Sequence, residues 1–197
     1  DLHRRRHSFP TRRSSDLVPD LCFDVHWHSI QLIPHVPPQG LPYLEFYEQR
    51  LGSPEAVCAR QAQVQVAAAN AGLTIEFARI KIFPNTWLAH RLLALAAQQL
   101  GLEAWQALQE ALFEAYFVHG CDLGDTPTLV KLAKIHDVDL STAEKFDAPS
   151  VWGEHLGVSG VPYFVFNQQW ALSGAQPPEV FVSAMLRSSS LSLPPTA

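Results

Sequence analysis

The sequence predicts an α/β domain in which a block of helices is inserted between two sheet-forming parts. Near the start, residues 22–32 alternate bulky apolar residues with polar ones, which is typical of a strand. Near the end, residues 162–166 form a dense β run, and residues 167–169 can turn it back into an antiparallel strand over 170–172. Helix signals fill the chain between them. Because a lone strand leaves its backbone groups unpaired, we expect residues 22–32 to pair in space with the distant hairpin.

Helix boundaries are indicated by capping residues, prolines and glycines. A helix start is indicated at residues 53–55, where Ser53 can cap the helix, Pro54 takes the first helical position and Glu55 places an acidic residue in the first turn. Six predicted helices span residues 42–50, 54–71, 86–100, 102–118, 141–156 and 178–187, and a further helix begins at residues 126–127. A short extended piece is predicted near residues 75–80. Apolar residues at helical spacing, among them Leu92 with Leu95 and Trp105 with Leu108 and Leu112, predict the buried faces.

Composition narrows the class of protein further. The 197 residues are 47% hydrophobic and 17% charged, which allows a buried core and excludes a disordered or collagen-like chain. No stretch approaches the roughly 18 uninterrupted apolar residues that a membrane span requires. The net charge of −5 argues against a nucleic-acid partner. The composition thus predicts neither a membrane nor a nucleic-acid partner, and it leaves the oligomeric state open.

The first seventeen residues differ from the rest of the chain. They carry five arginines and two acidic residues, whereas the remainder has nine basic and seventeen acidic residues, a net charge of −8. Residues 7–17, HSFPTRRSSDL, are similar to the translation of a short-read sequencing adapter. The lack of an amphipathic stripe argues against an organelle transit peptide, and the similarity of residues 7–17 to an adapter favours this interpretation over a basic disordered arm. We therefore expect the genuine start of the protein to be missing before Val18.

Residues 157–181, GVSGVPYFVFNQQWALSGAQPPEVF, closely resemble the C-terminal part of the DsbA-like thioredoxin superfamily, in its cytoplasmic FrnE-like branch. The blocks HWHSIQLIPHVPPQG, FPNTWLAHRL and LFEAYFVHGCDLGD agree in order, so that the resemblance spans residues 18–187. It implies a thioredoxin-like fold with an inserted α-helical domain, here without its first strand and first helix. The expected organisation is an adapter-like segment over 1–17, core parts over 18–36 and 156–188, the helical insertion over 37–155 and a tail over 189–197.

The resemblance also implies a substrate-binding site at Gly160, Val161 and Pro162. Val161-Pro162 falls where the family has its cis-proline, which exposes the backbone of the preceding residue to an extended substrate. Gly160 allows close approach. The partner is then a protein or small-molecule disulfide or thiol, and the compartment is the cytoplasm.

The chemistry of the family requires a Cys-x-x-Cys at the start of the first helix, where a stabilised thiolate attacks disulfides. The three cysteines, Cys22, Cys58 and Cys121, contain no such motif and are expected to be structural or incidental. We expect the motif upstream of Val18, so the chain as written is predicted to be inactive in disulfide exchange. With two sheet edges left unpaired, it is also predicted to be marginally stable or prone to aggregation.

Two other functions remain open. Relatives that resemble 2-hydroxychromene-2-carboxylate isomerases and kappa-class glutathione transferases have a serine in place of the motif and use glutathione, whereas the leading function needs no cofactor. A non-catalytic peptide-binding or chaperone-like module, which keeps only the groove, is an alternative of another class.

The remaining candidates for a cleft beside the thioredoxin core are Asn85, His90 and Trp152, although each of them could instead serve only in packing. The histidines at 26, 28 and 35 lack an acid or cysteine at a recognisable ligand spacing, and we predict no metal site.

Overall fold

The structure is a computed structural model that describes residues 24–141, 158 and 160–190 of the chain. Two compact units are present, one formed by Asp1–His28 with Trp152–Ala197 and the other by Ser29–Val151. The Ser29–Val151 unit contains the short strands β1 (Leu41–Pro42) and β2 (Ile82–Phe83) and the helices α1 (Tyr43–Leu51), α2 (Pro54–Asn70), α3 (Trp87–Gln99), α4 (Leu102–Phe117) and α5 (Thr126–Ile135). In the other unit lie the strands β3 (Tyr163–Phe166) and β4 (Trp170–Ser173) and the helix α6 (Pro178–Ser190).

The helix starts at Pro54 and Thr126 follow from local capping. The Ser53 hydroxyl accepts a hydrogen bond from the backbone N–H of Ala56 at 3.2 Å, directly before α2. Directly before α5, the Asp125 carboxylate accepts two hydrogen bonds from Thr128, one from its backbone N–H at 2.9 Å and one from its hydroxyl at 2.7 Å. Both caps satisfy donors that the first turn of a helix leaves unpaired. The predicted start of each helix is thereby confirmed.

The core of the Ser29–Val151 unit lies where α3, α4 and α5 meet. Leu108 and Ala133 are completely buried there, and Leu95 is almost so. The indole Nε1 of Trp105 donates to the backbone oxygen of Leu93 at 2.9 Å, so the buried ring keeps its polar atom paired. The apolar stripes that the sequence predicts for α3 and α4 therefore do form the core.

The predicted strand over residues 22–32 is wrong for the part that the structure describes. Residues 24–32 contain no strand, and Val25 and Trp27 are 59% and 40% exposed. Alternating apolar residues favour a strand only where a second strand pairs with them, and no described strand pairs with this segment. The expected pairing with the hairpin is also absent, since β3 pairs with β4 among the described strands.

Two further differences concern short elements. Residues 77–79 form a single 3-10 turn rather than extended chain. The antiparallel pair β1 and β2, with Leu41 opposite Phe83, was not predicted because each strand has only two residues. Gly40 precedes β1 with a φ of +73°, and a Cβ there would overlap the Ile82 side chain, so a glycine is required. Most of the predicted helix over 141–156 lies outside the described residues.

The hairpin of the other unit matches its prediction. β3 and β4 pair in the register Phe164 opposite Leu172 and Phe166 opposite Trp170. The side chain of Phe181 on α6 is completely buried against this hairpin. Its ring meets that of Phe164 nearly edge-on, with the centroids 4.7 Å apart.

Candidate functional site

The segment Gly160, Val161 and Pro162 leads directly into β3. The Val161–Pro162 peptide bond is cis, and Val161 is 57% exposed. The Pro162 carbonyl accepts a hydrogen bond from the backbone N–H of Gly174 at 2.8 Å, beyond the end of β4. This bond extends the hairpin ladder by one position and holds the segment at a defined place beside β3.

The main chain of Val161 is unpaired within the part of the chain that the structure describes. No described residue forms a hydrogen bond with its backbone N–H or carbonyl. None of the described residues would lie within 4 Å of a Cβ added to the preceding residue, Gly160. An extended chain can approach such a backbone and pair with it as an added strand.

The hairpin behind this segment is braced by α6. The Asn167 side-chain amide donates to the backbone oxygen of Ser188 at 3.2 Å, and the Arg187 guanidinium lies 4.1 Å from the centre of the Trp170 ring. Together with the buried Phe181, these contacts tie both the turn and β4 to the helix. The support of the site therefore comes from a helix that follows it in the chain.

Asn85 lies directly before α3 and joins three segments of the Ser29–Val151 unit. Its side-chain Oδ1 accepts the backbone N–H of Trp87 at 3.0 Å and the Nε2 of Gln31 at 3.1 Å. Its Nδ2 donates to the backbone oxygen of Val36 at 2.6 Å. The side chain thus caps the helix, although Thr86 holds the cap position itself. These partners all belong to the same unit, so the described contacts of Asn85 hold segments of that unit together.

His90 lies one turn into α3 and is half-buried. Its burial disfavours the charged imidazolium and lowers the pKa of His90 below its ordinary value of 6.5. The ring is therefore neutral at pH 7. Asn85 and His90 lie in the same part of one unit, whereas Trp152 lies outside the described residues. Their assignment to a cleft stays a prediction.

The other polar candidates show local contacts. His26 lies 3.0 Å from the Asp24 carboxylate, and both side chains are largely exposed. Over residues 24–141, 158 and 160–190, no three histidine, cysteine or acidic side chains form a cluster that could hold a metal ion. Cys58 is an exposed free thiol, and Cys121 is a half-buried free thiol that packs against the helical core. Cys22 lies outside the described residues.

Sequence reasoning missed Gly174, the residue whose N–H holds the Pro162 carbonyl. Its φ of +76° lies in the left-handed region, which a glycine reaches without steric cost. The pair Ser173-Gly174 directly after a predicted strand is a turn signal that could have indicated it.

Comparisons with known proteins bear on the whole chain. A family model described as the DSBA-like thioredoxin domain matches residues 8–186. The chain is also similar to the crystal structure of a probable DsbA oxidoreductase from Streptomyces coelicolor, with a TM-score of 0.72 and 24% sequence identity over 95% of this chain and 86% of that one. None of the curated proteins matches the chain. The predicted α/β thioredoxin-like fold with a helical insertion is thereby confirmed. None of the described helices is long and apolar enough to cross a bilayer.

Proposed function

Because the chain belongs to the DsbA-like thioredoxin family, we propose that it carries the substrate-docking part of a thiol–disulfide oxidoreductase of the FrnE-like branch. In this proposal the redox-active Cys-x-x-Cys lies upstream of Val18 in the complete protein. The printed sequence has three cysteines and no such motif, so the chain as written has no nucleophile pair for the reaction. The adapter interpretation of residues 7–17 stays a prediction, and the family match itself includes residues 8–17.

The reaction is a pair of thiol–disulfide exchanges. The upstream thiolate forms an S–S bond with one sulfur of the substrate disulfide, and the other substrate sulfur leaves as a thiolate. The second upstream cysteine then attacks the mixed disulfide and releases the remaining substrate thiolate. The substrate is reduced by two electrons and the Cys-x-x-Cys is oxidised to a disulfide, and the same steps in reverse oxidise a dithiol substrate.

The accessible main chain of Val161 is the observation that carries the proposal. A peptide next to a reacting disulfide has an extended backbone with free N–H and carbonyl groups. It can pair with Val161 while the Pro162–Gly174 hydrogen bond keeps the segment in place. Recognition through the backbone accepts many side chains, which suits an enzyme with several protein substrates.

The first test is long-read resequencing of the locus across the codons for Leu17 and Val18. A strand followed by Cys-x-x-Cys supports disulfide exchange in the complete protein. A serine in its place would overturn that function in favour of an isomerase or transferase that uses glutathione. A genuine junction between HSFPTRRSSDL and Val18 would overturn both enzymes and favour a non-catalytic peptide-binding module.

The second test examines docking in the restored protein. Val161→Pro removes the backbone N–H that would donate a hydrogen bond to a carbonyl of the peptide. Val161→Ala keeps this N–H and serves as the matched control. We expect Val161→Pro to lower kcat/KM for a peptide disulfide about fivefold, the value of one hydrogen bond, and to leave the turnover of a small aliphatic disulfide unchanged. In variants whose circular dichroism is unchanged, equal losses on both substrates would show an effect that is not specific to peptide docking, and equal losses in both variants would show that the side chain matters instead. Either result refutes docking through the backbone.

A further inference from the structure

An aromatic cavity of about 440 Å³ lies within the Ser29–Val151 unit. Side chains from α1, α2, α4 and the chain around β2 form its walls. The aromatic members are Tyr43, Tyr47, Phe77, Phe83, Phe113 and Tyr116, together with Phe117. A cavity of this size and lining is typical of sites for small organic molecules.

The walls are held by contacts between the rings themselves. The Tyr43 and Tyr47 rings lie 4.7 Å apart, and Tyr47 meets Phe83 nearly at right angles at 5.9 Å. Phe83 in turn stacks on Phe46 at 3.9 Å. Because each ring is fixed by another, the aromatic walls are preformed and little ordering is needed when a ligand enters.

The hydroxyl groups in the walls are neutral hydrogen-bonding groups. Burial disfavours the phenolate and raises the pKa of Tyr43 and of Tyr116 above the ordinary value of 10.0. Tyr116 donates to the backbone oxygen of Ile82 at 3.4 Å. The tyrosines therefore supply no negative charge that would repel an anion.

The charge of the cavity is positive. Arg60 is the only charged residue among the described residues that line it, and its side chain is exposed. No described carboxylate lies within ion-pair distance of the Arg60 guanidinium, which donates a hydrogen bond to the neutral Gln63 amide oxygen at 3.4 Å. Positive charge reaches the cavity, since Arg50 and then Arg60 oppose the effect of burial, which raises the pKa of the lining residue Tyr47. An arginine in this setting can pair with a carboxylate or sulfonate group.

We propose that this cavity binds a small aromatic monoanion, with its ring system between the aromatic walls and its anionic group on Arg60. Flat rings match the edge-to-face and stacked packing that the wall residues already use. The ligand enters from the side of Arg60, because the charged group keeps contact with water there.

The probe is 2-naphthoate, and its binding to the full chain is measured by isothermal titration calorimetry. The neutral 2-naphthalenemethanol has the same rings, and octanoate has the same charge without rings. We expect 2-naphthoate to bind about fivefold more tightly than either compound, since only it satisfies both the walls and Arg60. Equal affinity for octanoate would refute the aromatic preference, and no heat of binding for any probe would refute the site.

Two pairs of variants locate the site. Arg60→Met should weaken 2-naphthoate about fivefold and leave 2-naphthalenemethanol unchanged. Lys131→Met, which removes an exposed charge on α5 that does not line the cavity, should change neither by more than about twofold. Val64→Phe fills the cavity and should abolish binding, whereas Val66→Phe adds the same ring at an exposed position of α2 and should not. Circular dichroism checks that each variant folds, and full binding by folded Val64→Phe would overturn the proposal.

Discussion

Asn85→Ala is the substitution whose effect the structure defines most closely. It removes three hydrogen bonds at once, those to the backbone groups of Trp87 and Val36 and to the Gln31 side chain. The Val36 carbonyl loses the Asn85 amide, which donates to it at 2.6 Å. Because Val36 is buried, water has little access to replace that hydrogen bond. The Trp87 N–H loses the acceptor that satisfies the first turn of α3.

The expected cost is the sum of these losses. Each hydrogen bond contributes about 1 kcal/mol net, so Asn85→Ala should lower the free energy of unfolding by about 3 kcal/mol. For a chain of this size that corresponds to a fall in Tm of about 6–12 °C. Gln31→Ala loses a single half-buried bond and should cost about 0.5–1 kcal/mol.

The measurement is urea unfolding followed by circular dichroism at 222 nm for both single variants and the double variant. Because Asn85 and Gln31 share a bond, the double variant should cost about 1 kcal/mol less than the sum of the two singles. A loss below about 1 kcal/mol for Asn85→Ala, or full additivity, would refute the role of Asn85 as the link between these segments.

Three further predictions concern the hairpin and α3. Phe181→Ala should cost about 4 kcal/mol, because it empties a completely buried site under β3, and a thermal melt measures this loss; a cost below about 1 kcal/mol would contradict that packing. Gln168→Gly should raise the stability by about 0.5 kcal/mol, because Gln168 has a φ of +58° in the hairpin turn. Gln169→Gly, whose φ is not positive, should lower it by a similar amount, and the same sign for both would refute strain at Gln168. His90 has a lower pKa in the folded chain than in the unfolded one, so the unfolded state binds more protons and stability should fall as the pH drops below about 6.5. His90→Gln should remove that part of the fall in the urea midpoint between pH 7.5 and 5.5, and an unchanged pH dependence would contradict the burial of the ring.

Local signals in the sequence determined most of the helices and the hairpin. The caps at Ser53 and Asp125 act within three residues, so their effect is visible without knowledge of the fold. The turn at Asn167 and Gln168 closes β3 onto β4 over a similarly short distance, with the Gln169 N–H bonded to the Phe166 carbonyl at 3.0 Å. The order of blocks along the chain also determined the family, which the family match confirms.

The tertiary structure decided everything that depends on a distant partner. Residues 24–32 have the alternation of a strand but no described strand beside them, and a strand without a ladder is not stable. Leu41 and Phe83 pair although 42 positions separate them, and nothing in two-residue strands announces that pairing. The aromatic cavity is built from rings on four separate segments, each of which alone predicts only core. Hydrogen-bond caps and turns are local and can be read along the chain, whereas strand partners and cavities exist only once the chain has brought remote segments together.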